Sequence, residues 1–277
     1  MEDLVAMDPL LSSGTVSSAV PVVGLIPAGG QASRIMPLPC SKELFPVGFV
    51  QFDDKADIRP KTACHYVLER MRWAGIQTAF IVLRRGKWDI PAYFGDGSLI
   101  DMHLGYLMVE VTSGVPYTLD QAYPFVRNAR VALGFGDILF ESKDAFARVL
   151  ARQASTGADV VLGLFPADRP EKVDMVDVDD SGKVRALTIK PQLTNLRYTW
   201  GLAVWTPTFS DFLHATAAVS QSNAPGQPEL FVGDVIQAAM NKGLHVDSVQ
   251  VSDRPYVDIG TADDLARAVR SFGQQPQ

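Results

Sequence analysis

The sequence has few of the residues that mark secreted, metal-rich or membrane proteins. Of its 277 residues, two are cysteines (Cys40 and Cys64) and four are histidines. The two cysteines lack metal-binding spacing and predict free thiols in a reducing compartment. The apolar runs are too short to span a bilayer, and the first residues, Met-Glu-Asp, lack the basic region of a secretory signal. We therefore expect a cytoplasmic protein with no membrane partner.

An excess of positive charge is also missing. The chain has 25 lysines and arginines against 31 aspartates and glutamates, which gives a net charge of −6 at pH 7. This balance predicts that nucleic acid is not a partner. It leaves an anionic small substrate open, because a few local cations can override the overall charge. With 47% hydrophobic residues, the composition is that of an ordinary globular protein.

Two common phosphate-binding fingerprints are absent. The chain has no Gly-x-Gly-x-x-Gly, which argues against an NAD-dependent dehydrogenase, and no Walker pattern ending in Gly-Lys-Ser/Thr. Instead, an apolar run ends at Ala28, Gly29 and Gly30, and a proline-rich loop with the cations Arg34 and Lys42 follows. Amides beside glycines can form an anion-binding nest, and prolines stiffen a loop. Two glycines alone favour a simple tight turn, but the two cations shift the interpretation towards a triphosphate site.

The hydrophobic pattern predicts strands that alternate with helices. Apolar runs typical of buried strands occur at residues 20–26, 78–83, 106–111, 129–133, 159–165, 202–205 and 246–251. Helical spacing occurs at residues 62–74, 118–127, 143–153, 208–219, 233–241 and 262–272. Residues 173–178 and 184–189 flank a glycine turn and predict a hairpin. The pattern indicates an α/β fold: a doubly wound, mostly parallel sheet with a hairpin-bearing second half, whose ligands bind beyond the carboxyl ends of the strands.

The domain organisation follows from the same pattern. Residues 1–19 are rich in small residues without a sustained period, which predicts a flexible amino-terminal tail. Residues 20–272 contain no internal repeat and no linker, which predicts a single domain, and residues 273–277 are expected to form a short carboxyl-terminal tail.

The glycine loop also resembles that of a known family. Ala28-Gly-Gly-Gln-Ala-Ser-Arg34, followed by Lys42-Glu-Leu-Phe-Pro-Val47, resembles the signature loop of sugar-1-phosphate nucleotidyltransferases, especially the glucose-1-phosphate thymidylyl- and uridylyltransferases. Further matches keep the family's order over residues 20–265: Gly95-Asp-Gly-Ser98, Leu119-Asp-Gln-Ala122, Gly136-Asp137, Lys190-Pro191, Gly201-Leu202, Gly233-Asp-Val235 and the segment from Tyr256 to Leu265. The resemblance implies a Rossmann-like, GT-A-like nucleotidyltransferase fold. Residues 20–140 would form its NTP-binding half and residues 141–272 its sugar-phosphate-binding half.

The resemblance further implies a reaction in which a sugar 1-phosphate attacks the α-phosphate of an NTP, with dTTP or UTP favoured, and pyrophosphate leaves. Such transfers depend on positioning and charge neutralisation. By resemblance, Arg34 would neutralise the leaving pyrophosphate, Lys42 would lie between the reacting phosphates, and Lys190 would bind the sugar phosphate. Asp137 and Asp258 would bind Mg²⁺, the implied cofactor.

The resemblance assigns the remaining site residues by position. The nucleotide-binding set would comprise Ala28, Gly29, Gly30, Gln31, Glu110, Gln121 and Asp137. The sugar-phosphate-binding set would comprise Lys190, Gly201 and Asp258. Taken alone, Asp137 and Asp258 could equally well be helix caps, since aspartate is a common capping residue.

Several departures from the family pattern affect recognition rather than chemistry. The base-binding segment of the family is replaced by residues 110–114, which begin with Glu110, and the glutamate before Lys190 has become Ile189. Loss of a hydroxyl acceptor should loosen or change the sugar preference. Residues 49–59 form an insertion of unassigned role, and the shortened loop leans towards cytidylyltransferases. An enzyme that uses CTP or a non-sugar phosphate, and a catalytically silent nucleotide-binding module, stay open as alternatives; so does self-association, which is frequent in such relatives.

Overall fold

The computed structural model describes residues 20–52, 57–110, 114–221 and 229–273. Its strands are β1 (Val22–Ala28), β2 (Pro46–Phe52), β3 (Asp57–Thr62), β4 (Thr78–Arg84), β5 (His103–Val109), β6 (Arg130–Leu133), β7 (Ile138–Leu139), β8 (Val160–Pro166), β9 (Asp174–Val178), β10 (Val184–Ile189), β11 (Tyr198–Trp205), β12 (Val246–Gln250) and β13 (Val257–Asp258). Its helices are α1 (Ala63–Trp73), α2 (Asp89–Phe94), α3 (Val115–Asp120), α4 (Tyr123–Val126), α5 (Ala145–Thr156), α6 (Pro207–Gln221), α7 (Val232–Asn241) and α8 (Ala262–Phe272). Short 3₁₀ turns cover Lys42–Leu44, Ser98–Ile100 and Pro170–Lys172.

Nine strands form the central sheet. Strands β6, β1, β4 and β5 are neighbours in that order and run parallel. On the other side of β6, β11 runs antiparallel to both β6 and β8, and β12 runs parallel to β8. Because two antiparallel steps restore the direction, β8 and β12 point the same way as β1. The carboxyl ends of β1, β4, β6 and β8 therefore meet at one edge of the sheet, where the sequence places the ligand site.

Helices cover both faces of this sheet, as the doubly wound prediction requires. One face packs α1, α2 and α5 against side chains such as Ile81 and Val161. The opposite face packs α3, α4, α6 and α7 against side chains such as Val82 and Leu162. Neighbouring residues of one strand thus serve opposite cores, which explains why these strands are apolar at nearly every position.

The second half contains the predicted hairpin. Strands β9 and β10 pair antiparallel and flank the glycine turn, and β9 extends the sheet by pairing with the first residues of β11. Tyr198 and Thr199 make this pairing, and they also pair with Pro166 and Phe165 at the end of β8. The hairpin therefore forms one wall beside the carboxyl edge.

Among the differences from the sequence expectation, two have a local reason in the sequence. The predicted helix over residues 118–127 is two short helices: α3 begins after Gly114, and Thr118 lies buried inside it rather than at its cap. Pro124, near the start of α4, cannot continue the α3 hydrogen-bond ladder, which explains the break. The insertion at residues 49–59 belongs to the β2–β3 hairpin, whose strands pair antiparallel outside the main sheet. Its apolar residues were too few and too interrupted by Lys, Asp and Pro to predict strands.

A small third core supports this hairpin. Ala268 and Phe272 of α8 pack with Val47 and Tyr66, so the last helix closes against β2 and α1. The two-stranded pair β7–β13 lies between this core and the sheet edge. In the described part of the chain, no helix combines the length and apolarity needed to cross a membrane. The predicted tail at residues 1–19 lies outside the described residues.

Candidate active site

A cavity of about 460 Å³ opens at the carboxyl end of β1. The loop after β1 contributes the predicted residues Gly29, Gly30 and Gln31 to its wall, and Lys42 and Asp137 lie in the same wall. A Cβ built on Gly30 would meet nothing within 4 Å, so this backbone faces open space. The glycine loop thus lines the cavity with backbone that carries no side chain, which leaves room for a ligand.

A second cavity, of about 360 Å³, lies beside the ends of β8 and β13. Its wall includes Arg34, Lys190 and Asp258, three residues that the sequence assigned to phosphate, sugar phosphate and metal. Thr199 and Tyr256 complete the floor. The predicted site residues therefore divide between two cavities, one with the glycine loop and one with the second-half cations.

The two aspartates lie where the cavities meet. Asp137 follows β6, and Asp258 ends β13, which pairs antiparallel with β7 so that Asp258 is the partner of Ile138. The amide of Ile259 donates to the carbonyl of Asp137 at 2.9 Å. The two aspartates are 121 positions apart in sequence, and these contacts bring Asp258 close enough to Asp137 for the two carboxylates to interact. Asp258 does not cap α8, because Thr261 performs that role and accepts from the amide of Asp264.

Electrostatics show how closely these charges interact. The Lys42 ammonium forms an ion pair with Asp137. Burial alone would raise the pKa of Asp137, but Lys42 outweighs it and holds that pKa below its usual value. Burial and the Asp137 carboxylate raise the pKa of Asp258 to about 6, against the lowering effects of Lys42 and Arg34. Burial would lower the pKa of Lys42, yet Asp137 and Glu43 more than compensate and raise it. Lys42 is therefore a permanent cation at this junction.

Buried contacts fix the loop that carries Lys42. Ser41 donates to the Asp89 carboxylate through its amide at 2.6 Å and through Oγ at 2.7 Å. Lys87 Nζ donates to the two oxygens of Glu43 at 2.7 and 2.9 Å, and both side chains are almost fully buried. These partners on the β4–α2 connection hold the loop from both sides of Lys42.

The donor set at the junction fits a divalent cation. Mg²⁺ is commonly held by one or two carboxylates, with substrate phosphates and water as the remaining ligands. Asp137 and Asp258 supply two carboxylates close enough for one charge to shift the pKa of the other. No cluster of three or more His, Cys, Asp or Glu side chains suited to a metal occurs among the described residues. A metal ion here would thus depend on phosphate oxygens for its other ligands.

Lys190 stands at the far side of the second cavity. It follows β10 with a positive φ of 43°, and its Nζ lies 3.8 Å from the centre of the Phe231 ring. Burial raises the pKa of nearby Asp174 to about 6, with Lys190 opposing the shift and Asp234 adding to it. The ammonium therefore has a carboxyl neighbour and an aromatic face but stays exposed to the cavity.

Four predicted residues, Gln121, Glu110, Gly201 and Ala28, lie outside both cavity walls. Gln121 is exposed at the end of α3, where its amide donates to the Tyr117 carbonyl at 3.4 Å. Glu110 is exposed just after β5, next to residues 111–113, which are outside the described part. Gly201 lies within β11, where a Cβ would meet the Tyr256 ring at 3.0 Å. The absence of a side chain at Gly201 leaves room for the Tyr256 ring, which lines the second cavity. Ala28 is buried at the end of β1 and supports the glycine loop from beneath.

Sequence reasoning missed other wall residues. Arg84 ends β4 and lines the glycine-loop cavity, and Arg169 lines the second cavity with its Nη2 2.6 Å from Asp264. The position of Arg84 could be predicted, because it directly follows the strand predicted at residues 78–83, on the ligand-binding edge. Arg169 lies in a loop with no local signal, and only tertiary contacts place it.

The chain is similar in sequence to known nucleotidyltransferases. The chain is 26% identical over 250 residues to the low-salt glycan biosynthesis nucleotidyltransferase Agl11 of Haloferax volcanii, covering 88% of this chain and 64% of that protein. It is 26% identical to glucose-1-phosphate thymidylyltransferases of Neisseria gonorrhoeae and Streptomyces griseus, covering 83% and 64% of their lengths. The chain thus spans less than two thirds of two of these three relatives.

Solved structures share the fold at low identity. A structure described as a glucose-1-phosphate thymidylyltransferase from Bacillus anthracis with sucrose superposes with a TM-score of 0.77 at 19% identity, over 92% of this chain and 97% of that one. A UDP-glucose pyrophosphorylase complexed with UDP-glucose gives 0.73 at 16% identity, over 91% and 98%. The family model for nucleotidyl transferases matches residues 23–275, from β1 past the end of α8. The chain belongs to the nucleotidyl transferase family.

Proposed function

We propose that this protein joins an NTP, with dTTP or UTP favoured, to a sugar 1-phosphate and releases pyrophosphate in a Mg²⁺-dependent reaction. The observation that carries the proposal is the convergence of Asp137, Asp258 and Lys42 at the junction of two cavities. One cavity has exposed loop amides, as a triphosphate requires, and the other has several cations, as a phosphorylated acceptor requires. Two phosphates meeting at that junction repel each other, and the reaction needs this repulsion removed.

The position of each residue then suggests its role in the proposed reaction. Gly29 and Gly30 offer amides to the triphosphate, and Lys42 stands between the two reacting phosphates as a permanent cation. Asp137 and Asp258 would hold Mg²⁺, which supplies charge neutralisation at the α-phosphate when it is bound.

The cations of the second cavity complete the assignment. Lys190 pairs with the acceptor phosphate from the far wall. Arg34 is the nearer cation: a Cβ on Gly260 would lie 3.1 Å from Arg34 Nη2 and 3.4 Å from Asp258 Oδ1, so the guanidinium faces the junction. We assign Arg34 to the negative charge that builds there as pyrophosphate leaves.

The test is a matrix of pyrophosphate release. ATP, CTP, GTP, UTP and dTTP are each combined with a hexose 1-phosphate, an aminohexose 1-phosphate and a non-sugar phosphate, with Mg²⁺ or with EDTA. We expect turnover with a sugar 1-phosphate and a pyrimidine NTP that is lost in EDTA. Asp137→Asn and Asp258→Asn should each lower kcat/KM by about 10²–10³-fold or more.

Asp263→Asn is the matched control, because Asp263 is an exposed carboxylate only five residues from Asp258. It should retain wild-type turnover. Full Mg²⁺-dependent activity in both site variants would overturn the proposed roles, and release of pyrophosphate only with CTP or with the non-sugar phosphate would redirect the substrate assignment.

A further inference from the structure

The glycine-loop cavity contains a cation that no predicted role uses. Arg84, the last residue of β4, lines this cavity and is only partly exposed. Its Nε atom is buried and has no hydrogen-bond partner among the described residues, and no ion pair of Arg84 is found among them. By contrast, Lys42 in the same wall is paired with Asp137, and Lys87 nearby is paired with Glu43. A guanidinium whose buried Nε lacks a hydrogen-bond partner is unfavourable, so a ligand acceptor there would be stabilising.

The strand order decides which part of a nucleotide reaches Arg84. Along the sheet edge, Asp137 follows β6, the glycine loop follows β1, and Arg84 ends β4. With strands 4.7–4.9 Å apart, β4 is displaced from β6 by about 10 Å. The acceptor cavity lies on the opposite side, at the ends of β8 and β13. An α-phosphate at the junction therefore directs its nucleoside away from the acceptor cavity and towards β4.

The chemistry of a guanidinium narrows the class of base. Arginine presents parallel N–H donors and no acceptor, so it pairs with oxygens or with adjacent acceptors. Uracil, thymine, cytosine and guanine carry carbonyl oxygens. Adenine has none, and its exposed N7 and N1 acceptors each lie beside the N6 amino donor. A guanidinium at the base is thus matched to carbonyl-bearing bases and poorly matched to adenine.

We propose that Arg84 is a specificity-determining residue that donates to a carbonyl oxygen of the nucleobase and disfavours ATP. This inference rests on the proposed function and adds to it the residue that contacts the base. Arg84 takes no part in the phosphate chemistry.

The test compares Arg84→Ala and Arg84→Lys with the wild type, using the five NTPs with a fixed acceptor and Mg²⁺. Arg84→Ala should lower kcat/KM for the preferred carbonyl-bearing NTP by about 10- to 100-fold, the scale of a charge-assisted hydrogen bond. The value for ATP should change less than about threefold. Arg84→Lys should restore little of the lost kcat/KM, because an ammonium lacks the two parallel N–H donors of a guanidinium. Arg85→Ala is the matched control: Arg85 is the exposed next residue and lines neither cavity.

Equilibrium binding of each NTP without acceptor, and the melting temperature, separate the possible outcomes. A wild type that binds the preferred NTP but releases no pyrophosphate refutes the proposed reaction, while the base-selective loss in Kd still decides the role of Arg84. An equal loss for all five NTPs that Arg84→Lys restores means a phosphate contact and overturns the inference. The inference is also overturned if Arg84→Ala leaves kcat/KM and Kd unchanged or if the wild type binds no NTP. A fall in the melting temperature of Arg84→Ala that accounts for its loss of activity overturns it as well.

Discussion

At the scale of single residues, the site is held by charges that are paired before any substrate arrives. The Glu43–Lys87 pair is nearly fully buried, and removal of one partner from such a pair typically costs several kcal/mol. Glu43 follows Lys42 directly, so the same pair fixes the residue that stands at the junction. Of the two cations in the wall of the glycine-loop cavity, Lys42 is paired with Asp137, and Arg84 has no ion pair among the described residues.

His65 gives this protein a pH-dependent stability that can be measured apart from activity. It is buried in α1, and burial lowers the pKa of its imidazole to about 4, although nearby Glu69 opposes the shift. The unfolded chain, with an ordinary pKa near 6.5, then binds the proton that the folded chain excludes. Stability from this source is complete above about pH 6.5 and is lost as the pH falls towards 4, by about 3 kcal/mol in total.

His65→Gln removes the titrating imidazole. The test compares how steeply the free energy of unfolding changes with pH in the wild type and in the variant. Denaturant unfolding at pH 7, 6, 5 and 4 should show the wild type losing more free energy of unfolding than the variant, by up to about 1.4 kcal/mol per pH unit. Carboxylates that do not contact His65 titrate equally in both proteins and cancel in the difference. If the free energy of unfolding changes equally with pH in the two proteins, burial does not lower the pKa of the His65 imidazole in the folded state.

At the scale of elements, two glycines of the first strand and its loop have opposite purposes. Gly24 lies inside β1, where a Cβ would come 2.8 Å from both Ala79 Cβ and Met71 Sδ. It permits α1 to pack closely on the sheet. Gly30 lies in the loop, where a Cβ would meet no atom within 4 Å. Its small size leaves the cavity free.

Alanine at each position should separate stability from binding. Gly24→Ala should cost about 1–3 kcal/mol through overpacking and lower Tm by about 2–4 °C per kcal/mol, with KM for the NTP unchanged. Gly30→Ala should leave Tm within a degree or so of the wild type and raise KM for the NTP, because the added methyl stands in the cavity. Calorimetry with steady-state kinetics measures both. A destabilised Gly30→Ala that keeps its KM would refute the assignment.

The sequence predicted those elements whose hydrophobic pattern lies within one short segment, and it missed those that depend on pairing between distant segments. Strand β1 and its loop were read correctly because the apolar run and the two glycines lie in one short segment. Strands β7 and β13 were missed because two residues each carry no period, and only their pairing across the chain brings Asp258 to Asp137. The family resemblance named both aspartates, whereas their proximity is a property of the fold.

At the scale of the whole molecule, both cavities lie at one sheet edge, and the closing helix bounds one of them. The second cavity is bounded by Arg169, whose partner Asp264 lies in the first turn of α8, and Arg267 of the same helix pairs with Asp168 at 2.5 Å. The glycine-loop cavity depends on β1, β4 and β6. Ligands that bind at the junction therefore bridge the parallel half of the sheet and the carboxyl-terminal segment.

This bridging predicts a ligand-dependent thermal stability that needs no turnover. A ligand at 100 times its Kd stabilises the folded state by about 2.7 kcal/mol, which corresponds to a rise in Tm of about 5–10 °C for a chain of this size. We expect that rise with the preferred NTP and Mg²⁺, and a smaller one in EDTA, because Asp137 and Asp258 then repel the triphosphate without a bound cation. Asp137→Asn and Asp258→Asn should reduce the difference between Mg²⁺ and EDTA, since each removes one carboxylate from the shared point. If the difference persists undiminished in both variants, the cation that promotes nucleotide binding lies somewhere other than between these two side chains.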